Sequence, residues 1–99
     1  MVREIKEEEF DNIIKEGKVL IDCFATWCGP CKMLSPIIDT LSEEVKDCKF
    51  YKLDVDKAKT IPMDYGIMSI PTLLIFENGQ LNNTLVGFRT KEELLEYLK

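Results

Sequence analysis

Hydrophobic residues along this chain fall into two patterns, one typical of strands and one typical of helices. The nearly continuous apolar run over residues 19–25 predicts a central strand that is buried on both faces. Tyr51, Leu53 and Val55 alternate with polar residues and predict a second strand, whose apolar side chains share one face. Further strands are predicted at residues 2–5, 72–76 and 81–86.

Helical spacing of apolar residues recurs in four other segments. The longest stripe covers residues 31–46, and Pro36 inside it predicts a kinked helix. Shorter helices are predicted around residues 10–14 and 59–65, each followed by a glycine that can end it. The last helix places three leucines on its inner face: Leu94, Leu95 and Leu98.

Two local signals set how the second half of the chain is connected. Asn78 and Gly79 are typical of a tight hairpin turn, so the last two strands are predicted to pair antiparallel. Thr90 and Glu93 form a capping box that opens the final helix. The predicted order is β-α-β-α-β-α-β-β-α, an α/β fold in which helices cover both faces of a central mixed sheet.

Composition limits the classes of protein that this sequence can belong to. With 99 residues, 45% hydrophobic and 31% charged, the chain is expected to form one globular domain over residues 1–99. Its net charge of −5 and the lack of a basic stripe argue against nucleic acid as a partner. No apolar run approaches the length of a membrane helix, and residues 1–7 lack the apolar core of a signal peptide, so we expect no membrane association and a cytoplasmic location.

The chain contains four cysteines and no histidine. Histidine is the commonest general base and the commonest metal ligand, so its absence leaves proton chemistry to carboxylates, thiols or lysines. In a reducing cytosol, two cysteines close together in the sequence are better explained by metal binding or redox chemistry than by structural cross-linking.

The candidate chemistry is concentrated in the pentapeptide Trp27-Cys28-Gly29-Pro30-Cys31, which joins the central strand to the kinked helix. A thiolate at Cys28 would be stabilised by the unpaired N–H groups and the dipole at the helix N-terminus, whereas Cys31, one turn further in, is expected to be more buried. A structural zinc site would need about four ligands, and Cys23 and Cys48 do not supply a second close pair. The spacing therefore favours a redox pair and no metal.

Residues 19–33, with the Gly-Pro dipeptide between the two cysteines, resemble the thioredoxin family. The resemblance extends over about residues 2–98 and includes Lys52, residues 70–72 and residues 86–87. Phe24 is a departure, because many bacterial members carry a second tryptophan there. The resemblance implies a thioredoxin fold and a protein-disulfide reductase in which Cys28 is the nucleophile and Cys31 the resolving thiol.

Asp22 is the one charged residue within the apolar central run. An ionised carboxylate is costly in a buried strand, so the side chain either pairs with a lysine or reaches water at the strand edge, or it has a raised pKa. The third possibility would make Asp22 the proton acceptor for Cys31, with Lys52 tuning it. Thioredoxins carry an aspartate at the matching position, so the resemblance favours this role.

By the same resemblance, Pro71 is expected to follow a cis peptide bond and to lie against the cysteine pair. Sequence alone indicates only a proline at the start of a strand, where trans is the common state. The family also implies a flat apolar docking surface for extended substrates, made of Trp27, Ile67, Met68, Ile70, Pro71, Val86 and Gly87.

The remaining candidates have simpler explanations. Cys23 lies in the predicted central strand and is expected to be a small core residue. Cys48 has polar neighbours and is expected to be partly exposed, where it could form adventitious dimers. Residues 7–9 are three glutamates, expected to form a solvated helix start whose charges suit the helix dipole.

These observations predict a general protein-disulfide reductase and electron carrier in cell redox homeostasis, acting as a monomer on disulfide-containing proteins. The chain has no glycine-rich dinucleotide motif, so it needs no cofactor beyond the Cys28–Cys31 disulfide and would be regenerated by a separate thioredoxin reductase. The alternatives are a glutaredoxin-like protein that uses glutathione and a binding or scaffold subunit without turnover.

Overall fold

A computed structural model describes residues 2–99 of the chain. Five strands and four α-helices follow the predicted order, with a short 3₁₀ helix, Glu7–Glu9, ahead of the first α-helix. The strands are β1 (Arg3–Glu4), β2 (Lys18–Phe24), β3 (Cys48–Asp54), β4 (Thr72–Glu77) and β5 (Gln80–Val86). The helices are α1 (Phe10–Ile13), α2 (Gly29–Glu44), α3 (Ile61–Asp64) and α4 (Lys91–Tyr97).

The strands form one mixed sheet in the spatial order β1-β3-β2-β4-β5. β1, β3 and β2 are parallel, whereas β4 runs antiparallel to both β2 and β5. β2 is central, and its side chains over residues 19–23 are at most 3% exposed. The predicted central strand and the mixed sheet are both confirmed.

Helices cover both faces of the sheet, as the sequence predicts. On one face, Leu34, Ile38 and Leu41 of α2 and Leu94 of α4 pack in one core with the sheet. On the other face, the α1 residue Phe10 is fully buried, and its ring contacts two further aromatic rings, those of Tyr65 and Phe76. The sheet therefore separates two apolar cores, and each core holds a different set of helices against β2.

The two local connection signals act as predicted. Asn78 and Gly79 have φ angles of 51° and 88°, which suits a tight turn between two twisted strands, and β4 pairs with β5 beside it. Thr90 and Glu93 exchange the two hydrogen bonds of a capping box at the start of α4.

Several boundaries differ from the prediction. α2 begins and ends two residues earlier than the apolar stripe suggests, because Cys28 caps it directly. β3 ends before Val55, and its other face is also buried through Cys48 and Phe50, so the strand is not apolar on one face only. Pro36 lies inside α2 and removes the N–H that would bond to the carbonyl of Lys32.

The first of the three glutamates has a more specific role than the solvated helix start that the sequence suggests. The Glu7 carboxylate accepts hydrogen bonds from the backbone N–H groups of Lys59, Thr60 and Ile61, the last at 2.6 Å. These bonds hold the start of α3 against the N-terminal segment, and they lower the pKa of Glu7 from its ordinary value, the Ile61 bond most strongly.

We predict that Glu7→Ala lowers the free energy of unfolding at neutral pH. Because the folded state depresses the pKa of Glu7, its stabilisation is fully present above the unfolded value and is lost as pH falls through the folded value. Denaturant titrations from pH 7 to pH 3 should therefore show the difference between parent and variant shrinking with acid. The matched control is Glu8→Ala; an equal effect of both substitutions would contradict the contact.

Candidate active site

The cysteine pair lies at the carboxyl end of the central strand. Cys28 is the N-cap of α2 and its Sγ accepts a hydrogen bond from the backbone N–H of Cys31 at 3.2 Å. The two Cα atoms are 5.3 Å apart, and the two sulfurs are joined in a disulfide. Pro30 occupies the first turn of the helix, where a missing N–H costs little. The predicted redox pair is thus brought together at a helix N-terminus.

The expected difference in burial between the two cysteines is wrong for this disulfide form. Cys28 and Cys31 are each 4% exposed. The sequence argument considered only depth along the helix, but neighbouring segments cover Cys28 as well. It packs in a small cluster with Ala25 and Cys31, against which Phe24 and Ile70 also lie.

Pro71 follows a cis peptide bond, as the resemblance implies. The carbonyl oxygen of Ile70 lies 3.8 Å from the Cys28 sulfur. The carbonyl of Pro71 accepts a hydrogen bond from the Gly87 N–H at 2.8 Å. Residues 70–71 and Gly87, which are distant in sequence, therefore meet beside Cys28.

Apolar side chains surround this junction. Trp27 is 69% exposed and Met68 is 96% exposed. They line a shallow groove of about 210 Å³ together with Ile67 and Ile70. Val86, 54% exposed, lies on β5 at the position paired with Thr72, directly after Pro71. The residues expected to form a docking surface thus lie around Cys28.

Trp27 is held by a residue that sequence reasoning missed. Its indole Nε1 donates a hydrogen bond to the Asp56 carboxylate at 2.8 Å, and the Asp56 N–H donates to Asp54 at 2.9 Å. The only signal in the sequence is a pair of aspartates, Asp54 at the end of β3 and Asp56 just after it, which does not identify a partner 29 residues away. This contact fixes an exposed aromatic ring beside the cysteine pair.

Asp22 is buried in β2, and its Oδ1 atom has no hydrogen-bond partner among the described residues. Burial raises the pKa of this carboxyl to about 7, an effect that the positive charge of Lys52 opposes and the negative charge of Asp39 reinforces. The structure thus favours the third possibility considered for Asp22, a carboxyl that titrates near neutral pH.

Lys52 lies opposite Asp22 in the pairing of β2 with β3. Within residues 2–99, no ion pair of 4 Å or less joins the two side chains, and the Lys52 ammonium instead lies 5.6 Å from the centre of the Phe24 ring. Lys52 therefore acts on Asp22 through its field rather than through a direct contact.

One cleft connects the carboxyl group to the cysteine pair. It has a volume of about 230 Å³, and Asp22, Cys31 and Lys52 all line it. The central strand and the long helix thus place a titratable carboxyl and the second sulfur on a shared space.

The other two cysteines lie outside this site. Cys23 is fully buried, as expected, and burial raises the pKa of its thiol to about 12. The expectation that Cys48 is partly exposed is wrong: it is 5% exposed, and burial raises its pKa to about 11. Cys48 begins β3 and points into the core while its neighbour Lys49 is exposed. Both thiols are poor nucleophiles at neutral pH.

Among residues 2–99, no group of three or more histidine, cysteine, aspartate or glutamate side chains is arranged to hold a metal ion. None of the helices in that part of the chain is long and apolar enough to cross a membrane.

Known proteins similar to this chain in sequence and in structure include thioredoxins. The thioredoxin family model matches residues 1–99. The thioredoxin of Listeria monocytogenes is 46% identical over 99 residues, covering 99% of this chain and 96% of that protein. The thioredoxin of Rickettsia prowazekii is 42% identical, with the same coverage. The solved structure of oxidised mitochondrial thioredoxin 3 from Saccharomyces cerevisiae superposes with a TM-score of 0.90 at 33% identity, covering 98% of this chain and 92% of that one.

We predict that Asp22→Ala is more stable than the parent at pH 7, by about 2–4 kcal/mol. The folded state raises the pKa of Asp22 from 3.8 to about 7, so the carboxyl destabilises the fold increasingly between those values and fully above pH 7. Unfolding free energies measured from pH 4 to pH 8 should diverge as pH rises. A variant that is less stable at pH 7 would contradict a buried, strained carboxylate.

Proposed function

The chain belongs to the thioredoxin family and is a protein-disulfide oxidoreductase that works by dithiol–disulfide exchange; we propose that Cys28 is its nucleophile and Cys31 its resolving thiol. The observation that carries this assignment is the position of Cys28 as N-cap of α2, where its sulfur accepts the Cys31 N–H. Such a position stabilises a thiolate at Cys28 through the helix dipole and an N–H donor.

The reduced protein would act in two exchange steps. The Cys28 thiolate attacks one sulfur of a substrate disulfide, forming a mixed disulfide and releasing the other substrate sulfur as a thiolate. Cys31 then loses its proton and attacks the Cys28 sulfur. A Cys28–Cys31 bond forms, the bond to the substrate breaks, and the second substrate sulfur leaves with the electron pair. The substrate gains two electrons, and the cysteine pair loses two electrons together with the one proton of Cys31. The two substrate thiolates take up protons from solvent.

We assign the proton acceptor in the second step to Asp22, with Lys52 as a residue that tunes it. The support is their shared cleft with Cys31 and the pKa of about 7 at Asp22. A base of that pKa is half ionised at neutral pH, so it can both accept a proton and release it to solvent. Because the chain contains no histidine, a carboxyl with a raised pKa takes the part that an imidazole plays elsewhere.

Substrate docking is assigned to the apolar surface around Cys28. An extended segment of a substrate would lie along residues 70–71, where backbone groups adjoin the sulfur, and its side chains would contact Trp27 and Met68. Ile67, Val86 and Gly87 complete the surface. Contact through backbone groups and flat apolar side chains suits many different protein substrates.

Family membership implies disulfide-containing proteins as substrates and a reductase as electron source. We further propose a thioredoxin reductase as that source, a cytoplasmic location, and a monomer whose single domain spans residues 1–99. Met1 lies outside the described residues. No cofactor is invoked, because the exchange steps need only the two cysteines and a proton acceptor.

The test is reduction of insulin disulfides by the purified chain with two alternative electron sources. Activity with NADPH and a thioredoxin reductase, and little with glutathione and glutathione reductase, is expected. The reverse preference would indicate a glutaredoxin-like protein. Failure with both sources, together with binding that survives alkylation of the pair, would indicate a scaffold instead.

The roles of the two cysteines predict opposite effects of replacing each one. Cys28→Ser should abolish attack on disulfides, whereas Cys31→Ser should accumulate mixed disulfides because the resolving thiol is missing. Non-reducing electrophoresis after incubation with a disulfide-containing protein, followed by mass spectrometry of the adduct, distinguishes them. Trapping by Cys28→Ser and none by Cys31→Ser would reverse the assignment.

The buried positions of Cys23 and Cys48 predict that neither takes part in turnover. The double variant Cys23→Ala, Cys48→Ser should reduce insulin at close to the parental rate. A stability loss of roughly 1 kcal/mol is expected at Cys23, where a buried sulfur is deleted. A large loss of turnover in the folded double variant would reveal a second redox pair and refute this interpretation.

A further inference from the structure

The cleft lined by Asp22 and Cys31 also contains the hydroxyl of Ser35, which has no role in the exchange steps. Ser35 lies four residues after Cys31 on α2, so the two side chains are on the same side of the helix. Ser35 lines the same cleft as Asp22 and Cys31 and is half-buried. Among residues 2–99, no protein hydrogen bond involves the Ser35 hydroxyl, although Thr40 and Ser42 on the same helix each bond to a backbone carbonyl.

Two further polar groups at this cleft lack their usual partners. The Oδ1 atom of Asp22 is buried without a hydrogen-bond partner. The carbonyl of Lys32, another residue lining the cleft, has no helical donor because Pro36 lacks an N–H. A volume of about 230 Å³ is ample for ordered water, which needs room and two to four polar partners.

We propose that Ser35 is a positioning residue that holds the water through which Cys31 passes its proton to Asp22. The hydroxyl is both donor and acceptor, so it can fix the orientation of a water between the thiol and the carboxyl. This inference rests on the proposed roles of Cys31 and Asp22, and it adds the group that aligns the transfer between them.

The proton transfer and the thiol exchange together conserve atoms and charge. The Cys31 S–H bond breaks as the water accepts the proton, and the water passes one of its own protons to the Asp22 carboxylate. The Cys31 thiolate then forms the bond to Cys28, and the substrate sulfur leaves with the electron pair. Charges that bear on Asp22 come from Lys52 on β3 and Asp39 on α2, and Lys32 also lines the cleft.

The resolving step can be followed by stopped flow with a chromogenic nitroaryl disulfide. The first equivalent of coloured thiolate reports attack by Cys28, and the second reports resolution by Cys31. At pH 7, Ser35→Ala should slow the second phase by roughly two- to tenfold, as expected for the loss of one hydrogen bond, and should leave the first phase unchanged.

Dependence on pH separates this role from a general structural defect. As pH rises, hydroxide can remove the Cys31 proton directly, so the deficit of Ser35→Ala should shrink towards alkaline pH. Ser35→Thr keeps a hydroxyl and should restore the rate at pH 7. Ser42→Ala is the matched control, because it removes a hydroxyl of the same helix that bonds to the Asp39 carbonyl instead.

Three results would overturn the proposal. A parental second phase in Ser35→Ala, with a slow one in Asp22→Asn, would mean that the proton passes without Ser35 while the role of Asp22 stands. A deficit of equal size at every pH would mean that Ser35 acts only on the structure. Parental rates in both variants would remove the proposed role of Asp22 as well.

Discussion

Burial of β2 on both faces is the constraint on which the site depends. Residues 19–23 are almost inaccessible, and two neighbouring strands hold the backbone on either side. The turn after Phe24 therefore starts from a fixed point, and α2 begins only five residues later with Cys28 as its cap. In each catalytic cycle the disulfide is broken, so it cannot be what keeps the two sulfurs in place. The sheet and the packed helix are the elements that can supply that rigidity.

Burial of β2 also makes the Asp22 carboxylate destabilising to the fold, and it gives the carboxyl a pKa suited to proton transfer. A carboxyl in the middle of a buried strand loses its hydration, which raises its pKa into the neutral range. An uncharged residue there would stabilise the fold, but it could not accept a proton from Cys31 in the proposed resolving step. Local violations of the hydrophobic pattern are expected where chemistry requires them. In this chain the residue that breaks the pattern is Asp22, and it lines the same cleft as Cys31 of the redox pair.

The sequence was informative wherever the signal was local. The turn at Asn78 and the capping box at Thr90 depend on neighbouring residues, and both formed as predicted. Contacts between distant segments could not be read in this way: Glu7 bonds to backbone groups 52 to 54 residues away, and Asp56 holds a tryptophan 29 residues away. Cys48 was misjudged because its polar neighbours suggested exposure, whereas a strand points successive side chains to opposite faces.

The absence of histidine ties the chemistry of this protein to its folded state. An imidazole titrates near neutral pH even in water, whereas an aspartate does so only when its carboxyl is buried. For Asp22 to act as proposed, the cleft would have to admit enough water to carry a proton from Cys31, yet not so much that Asp22 becomes hydrated and its pKa falls. The role proposed for the Ser35 hydroxyl would serve both requirements, because an ordered water conducts a proton but solvates a charge less well than bulk water. The proposed proton acceptor is thus a property of the packing around β2 as much as of Asp22 itself.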